Sequence, residues 1–520
     1  MTAERSIGVD GMISRRCFLA GVAGALAGCS LPRAAASRGR FCGDYWSTSE
    51  AQSRAKGFGR DSLDEDALFG RGGWARLFPD VRRDLLLMLD GGGDVPCGAG
   101  YLAQLDGRIR DAGWRGTGIR VSAQMSGETA AARCDDWAML AEDLKRRLGE
   151  SAEGNIACWK VDGGVHGRDM RYLRLMSELR ESYAPDLVID NGWSVDNALN
   201  GRPYPKAGWR PPLLLDVMGS GICRMTDNPL YDGVRRDYME LMEFSDVVRI
   251  GDTLFPMCAA TALDRAVFAL ECADRLGSHT VVGVGDECLI AAALGLEFAM
   301  TRAPSSGGSD DAGLPWSRGE RMAEASRCVA WHRVAPPYGS DRGIRLRRGM
   351  DRLEETWSCP RNSRCWESVR GRELRQSAPA VVSRGLPLPE VRSMDPSGDV
   401  PFVVAGQNPN GAKSVAAVPL VTSDRGFHTP RASVTLDARL ESGEPLGVFG
   451  EFGELTVTLA GRRPSRVLAC DLAGGSPEDI TSCAVYDGDR ITLPGDALTR
   501  IGTRQNPTGD TSSPGLYIAI

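Results

Sequence analysis

Between residues 40 and 340 the chain carries eight short apolar runs, each followed by a polar or amphipathic stretch long enough for a helix. The runs are 41–47, 84–90, 118–123, 156–162, 187–190, 247–252, 280–284 and 297–301. A strand covered on both faces has no polar side to show, so it reads as a continuous apolar run rather than an alternating one. Segments 134–148 and 169–182 have the composition of the covering helices. Eight such units predict an α/β fold of the (β/α)8, or TIM, barrel type. An open doubly wound sheet is the alternative, and the missing G-x-G-x-x-G turn after the first run argues against it.

A barrel gathers the C-terminal ends of its strands on one face, where sites are built. Asp90, Gln124, Asp162, Asp190, Arg249 and Asp252 stand at those ends. Asp162 lies in the stretch ACWKVDGG, and an Asp between a strand and a Gly turn is ordinarily a turn former. Period two, however, puts Lys160 on its side of the strand, and an ammonium there favours the carboxylate form. Two carboxylates about 5–5.5 Å apart are the minimum equipment for cleaving a glycoside with retention. Asp162 and Asp252 are the candidate pair, and the fork of Arg249 suits a carboxylate or a sugar hydroxyl. A set of structural ion pairs lining the barrel mouth is the competing reading. Residues 285–287 (Gly-Asp-Glu) are either a helix N-cap or a further substrate contact.

After residue 340 the pattern changes to period two: SVTLDARL at 433–440, LTVTLAG at 455–461, RVLACDL at 466–472 and RITLPG at 490–495. Such alternation predicts a C-terminal antiparallel β-sandwich. The 520 residues exceed one ordinary core, and the divisions expected are 1–36, a catalytic barrel over 37–340 and the sandwich over 341–520. The formal net charge of -6 carries no long runs and gives no reason to expect nucleic acid. Four His are too dispersed for a helical metal motif, and the 15 Cys include no C-x-x-C pair.

The first 36 residues read as a leader. Ser-Arg-Arg-Cys-Phe-Leu at 14–19 resembles a twin-arginine export signal, and Leu-Ala-Gly-Cys at 26–29 resembles the lipobox of bacterial lipoproteins. The apolar segment between them, at roughly 1.5 Å per residue, is too short to cross a bilayer core of about 30 Å. The resemblance implies export, lipidation of Cys29 and a periplasmic or cell-surface lipoprotein held to the membrane only by its lipid.

Four stretches of the barrel region resemble the α-galactosidase (melibiase) group of glycoside hydrolases. WKVDGG is similar to its K-x-D nucleophile strand, and DVVRIGDT (246–253) to the strand supplying its Arg and acid/base Asp. LLLMLDGGGD (85–94) and GWRGTGIRV (113–121) resemble the earlier strands. The resemblance implies a retaining hydrolase with Asp162 as nucleophile and Asp252 as acid/base, and with Lys160, Arg249 and Asp90 as substrate contacts; Asp190, at its strand end, is a further candidate contact. It implies no cofactor and no metal, and an oligosaccharide, polysaccharide or glycoconjugate as substrate. Trp46, Trp159 and Trp193 are candidate apolar platforms for a sugar, with core packing the alternative for each. The chain departs from the group at Gly91 and Gly93, where a second Asp and an aromatic residue are usual. That departure favours the rival expectation, a surface carbohydrate-binding lipoprotein that kept the barrel and lost turnover. A transglycosylase is the third.

Overall fold

The structure is a computed structural model that describes residues 43–49, 51–52, 63–90, 98–128, 133–167, 169–191, 231–250, 259–302, 321–339, 345–358, 373–422 and 426–520. Cys29 and the leader, Gly91, Gly93, Trp193 and Asp252 lie outside the described residues. No described helix is long and apolar enough to cross a membrane.

Each of the eight apolar runs holds one strand of a closed parallel barrel. They are β1 (Tyr45–Ser47), β2 (Leu86–Leu89), β3 (Gly116–Val121), β4 (Cys158–Val161), β5 (Val188–Asp190), β6 (Val247–Ile250), β7 (Val281–Gly285) and β8 (Glu297–Met300), with β8 pairing back onto β1. The crossover helices are α1 (Ala99–Asp111), α2 (Trp137–Glu153), α3 (Met170–Tyr183), α4 (Tyr231–Phe244), α5 (Ala259–Leu276) and α6 (Cys288–Leu294), and α7 (Ala323–Val334) follows β8. Local chemistry starts two of them. The Asp136 carboxylate accepts from the Ala138 and Met139 amides, and that of Asp169 from the Arg171 amide. Each such cap stabilises its helix by about 1 kcal/mol.

Strand alternation sets what faces the barrel interior. Tyr45, Leu86, Met88, Cys158, Val188, Val247, Val281 and Ala299 form one buried cluster there. Period two then places Asp90, Lys160, Asp190, Arg249 and Glu297 on the same side as that cluster. The register puts Arg120 beside Lys160, and Lys160 beside Asp190. It also sets Arg249 beside Gly283, and Gly283 beside Glu297.

The C-terminal part is a sandwich of an eight-stranded and a five-stranded sheet among the described residues. Val403, Val415, Val448 and Leu516 of the first meet Val434, Leu436, Val457 and Leu493 of the second in one core. Both sheets are mixed rather than antiparallel: Val381–Arg384 runs parallel to Phe402–Gln407, Lys413–Val418 to Pro445–Gly450, and Ala432–Leu440 to Glu454–Leu459. Alternation reports that one face is buried, and it is silent on the direction of the neighbouring strand. The second face of the eight-stranded sheet is covered by α6 and α7. There Ser414 Oγ donates to the Ala293 carbonyl at 3.0 Å, and Arg384 to that of Leu294 at 2.9 Å. Arg327 on α7 pairs with Asp471 through two 2.9 Å bonds, and Asp510 accepts from the first amides of that helix. Barrel and sandwich therefore share a buried, polar-stapled boundary.

Candidate active site

Four charged side chains converge where β2, β3 and β4 end. Lys160 Nζ lies 3.3 Å from Asp90 Oδ2 and 3.8 Å from Asp162 Oδ2. Arg120 Nε lies 3.5 Å from Asp90 Oδ1 and 3.4 Å from Asp162 Oδ2. Each cation thus bridges both carboxylates. The arrangement is asymmetric in exposure: the Asp90 and Lys160 side chains are 3% and 2% exposed, whereas Arg120 keeps 24% and Asp162 31%. Asp162 is the carboxylate of this ring that a solute can reach.

The turn after β4 aims it. Asp162 stands one residue beyond the strand, its amide donating to the Val121 carbonyl at 3.1 Å. Gly164 follows at φ +93°, and a Cβ there would lie 2.5 Å from the Ala123 amide nitrogen. Only glycine permits both that conformation and that approach. A side chain at 164 would push the turn, and Asp162 with it, away from β3.

A second charged group is sealed inside the same barrel. Arg249 Nε donates to Asp190 at 2.8 Å, Nη2 to the Glu297 carboxylate at 3.2 Å and Nη1 to the Glu297 carbonyl at 3.1 Å. Tyr45 adds its hydroxyl to Asp190 at 3.1 Å, and its ring lies 4.6 Å from the guanidinium. Gly283 makes the room, since a Cβ there would stand 2.6 Å from Nη1. Burial by itself would depress the guanidinium, but Asp190, Tyr45 and Glu297 outweigh it and hold Arg249 well above its ordinary value. Burial pushes the Glu297 carboxyl up to about 7, against the pull of Arg249 and the Gly43 amide. Desolvation disfavours the charged carboxylate, and the neighbouring Asp44 and Asp190 add to the rise.

The structure therefore brings together Asp90, Lys160 and Asp162 of the expected residues, and places Asp190 and Arg249 in a closed cluster whose Asp190 stands beside Lys160 in register. Arg249 has a donor on each of its three nitrogens committed within the protein and is 1% exposed, so it offers no fork to a sugar. Trp46 is likewise no platform. Its side chain faces away from the barrel interior, stacks near Phe78 and Trp114 and donates to the Arg302 carbonyl. Trp159 is buried and donates to Ser151. Asp286 is neither N-cap nor open contact, because its carboxylate accepts from the Thr301 and Arg302 amides and from the Thr301 hydroxyl. Glu287 occupies the position before α6 without capping it. Among the described residues no three His, Cys, Asp or Glu side chains are grouped to hold a metal ion.

Arg120 is the mouth residue that sequence reasoning missed. The signal was present as an arginine in an otherwise uncharged strand, GTGIRV, at the position where a buried strand meets the mouth.

No known protein family and no curated protein sequence matches the chain. Among solved structures, a glucosidase from Croceicoccus marinus aligns over 84% of this chain and 89% of its own, at 10% identity and a TM-score of 0.29. A likeness of that size carries no argument. The barrel rests on its strand topology.

Proposed function

We propose that the chain is a retaining glycoside hydrolase of the α-galactosidase type with Asp162 as its nucleophile. The observation that carries this reading is the exposure contrast at the mouth. Asp162 is a partly open carboxylate at the end of a barrel strand, held by Arg120 and Lys160 while Asp90 backs both cations. In the reaction, an Asp162 oxygen attacks the anomeric carbon as the bond to the leaving oxygen breaks, giving a glycosyl ester. Asp252 is proposed to give its proton to that oxygen, then to take one from the water that cleaves the ester. It follows β6 by two residues and supports the reading by sequence alone. Asp90 and Lys160, the sugar contacts that the resemblance implies, are nearly closed at 3% and 2% exposure, so the role proposed for them is to hold Asp162 and Arg120 in place.

The test is trapping. An aryl 2-deoxy-2-fluoro-α-galactoside should add one fluorosugar to the intact protein, mapped to Asp162 by peptide mass. Asp162→Ala should not be labelled and should lose turnover by about 10^4-fold or more. Label on another residue, with Asp162→Ala still active, would remove Asp162 from the role. A surface carbohydrate-binding lipoprotein is the second reading, favoured by Gly91 and Gly93 in place of an acid and an aromatic ring. Glycan binding by the wild type without sugar release from any aryl glycoside would select it.

Under either reading the protein is proposed to be exported and anchored through Cys29. Cys29→Ser should leave the membrane fraction, and equal membrane amounts of variant and wild type would reject the anchor.

A further inference from the structure

A second acid–base pair lies sealed behind the turn that carries Asp162. The side chains of Glu128 and His166 are both 0% exposed. Glu128 Oε2 accepts from the Met125 amide at 2.7 Å, and Oε1 from the Cys134 amide at 2.6 Å. An ionised carboxylate only accepts hydrogen bonds. The 3.0 Å contact between His166 Nε2 and Glu128 Oε1 is then a hydrogen bond that the imidazole donates to an ionised Glu128. Among the described residues His166 Nδ1 has no hydrogen-bond partner, and the ring stacks on Tyr172 with centroids 4.7 Å apart.

This pair ties together the two segments that supply the exposed half of the site. Glu128 belongs to the loop after β3, the strand of Arg120, and His166 to the turn after β4, just beyond Asp162. Between them the backbone is laced by Ala123 amide to Gly163 carbonyl at 3.0 Å and by His166 amide to Ala123 carbonyl at 2.8 Å. Arg120 in turn reaches across to the Asp162 carbonyl at 3.1 Å. The direction of the Asp162 carboxylate thus depends on the relative placement of two loops, and the buried Glu128–His166 bond adds to the backbone bonds that join them.

We propose that Glu128 and His166 are positioning residues, a clasp that fixes the Asp162 carboxylate relative to Arg120; the proposal rests on the reading of Asp162 as nucleophile. Neither residue reaches the substrate. Their effect runs through the loops, where a displacement of about 1 Å at the reacting atom costs about 100-fold in rate.

Two substitutions separate the clasp from simple packing. His166→Phe keeps a ring on Tyr172 and loses the bond to Glu128, whereas His166→Gln keeps a donor and loses the stack. Two readouts are taken on each: hydrogen exchange at the Ala123, Asp162 and His166 amides, and kcat and KM on an aryl α-galactoside. His166→Phe should speed exchange at these amides while the melting temperature holds, and lower kcat by about 100-fold with KM nearly unchanged. His166→Gln should recover most of both. Unchanged exchange in His166→Phe, or equal losses in the two variants, would overturn the clasp. Should His166→Phe fail to fold, Glu128→Gln, which keeps one accepting oxygen in place of two, is read in the same way. A wild type that turns over no aryl glycoside would overturn the nucleophile reading and the positioning role with it. In that case faster exchange in His166→Phe still establishes the fastening of the loops.

Discussion

At the barrel mouth Arg120 and Lys160 hold Asp162 with nearly a third of its side chain open, and deep in the same barrel Arg249 holds Asp190 and Glu297 with both closed. The ingredients are the same: carboxylates, cations and an inward-facing position at the parity of the barrel interior. What differs is the remainder after internal bonding. In the deep layer each nitrogen of Arg249 donates to a protein acceptor, and the rings and backbone around it exclude water. At the mouth the cations lie 3.3 to 3.8 Å from the carboxylates and leave Asp162 room for another partner. Chemistry needs that remainder; a sealed pair has none to give. A charged residue at a barrel strand end is thus only half of a functional argument, and its residual exposure is the other half.

The largest effect that would break this contrast concerns the deep layer. Arg249→Met should leave Asp190 and Glu297 buried without their cation, a loss of about 3–5 kcal/mol in folding stability. Equilibrium urea unfolding measures it. A variant within about 1 kcal/mol of wild type would mean that the deep cluster is as loosely committed as surface pairs are.

A second, smaller effect uses pH. The Glu297 carboxyl sits at about 7 in the folded protein against an ordinary value of 4.5. The folded state therefore holds more protons than the unfolded state between these values, and stability falls as pH rises through that window. The shift corresponds to a stability loss of ~3 kcal/mol, complete above about pH 8 and absent below about pH 4. Glu297→Gln should flatten this part of the profile. Parallel profiles for variant and wild type from urea midpoints would refute Glu297 as the titrating group.

The eight barrel strands were legible because burial on both faces leaves no polar position, and WKV, VVRI and EFAM carry that mark plainly except at the charged residues turned into the barrel. The same mark misled further on. Phe402–Gln407 and Lys413–Val418 lack alternation because their sheet is covered by the sandwich core on one side and by α6 and α7 on the other. A reading that sought period two passed over them. At the site, Asp162, Lys160 and Asp90 were legible from position and parity. The burial of Arg249 was not, because its partner Glu297 begins the strand two along in the barrel and meets it across Gly283 of β7. Trp46 failed for a related reason. Strand position alone places the indole on the outer side, against Trp114, and residue type alone suggested a platform.

The smallest stability effect belongs to the residue with the largest functional one. Asp162→Asn removes a charge from between two cations, yet it should change folding stability by no more than about 1 kcal/mol. Asp162 keeps 31% of its side chain in contact with solvent, and its pairs at 3.4 and 3.8 Å are partly screened there. Lys160, at 2% exposure, retains Asp90 at 3.3 Å, so the substitution strands no buried ammonium. Arg120 likewise retains Asp90 and its bond to the residue 162 carbonyl, which the side-chain change does not touch. Urea unfolding of Asp162→Asn beside Arg249→Met then reads the two layers on one scale. A near-neutral first variant and a strongly destabilised second one sharpen the division between a charge kept for a partner and a charge kept for the fold. A loss of several kcal/mol at Asp162 would instead assign the mouth ring to the architecture, as one more set of structural ion pairs.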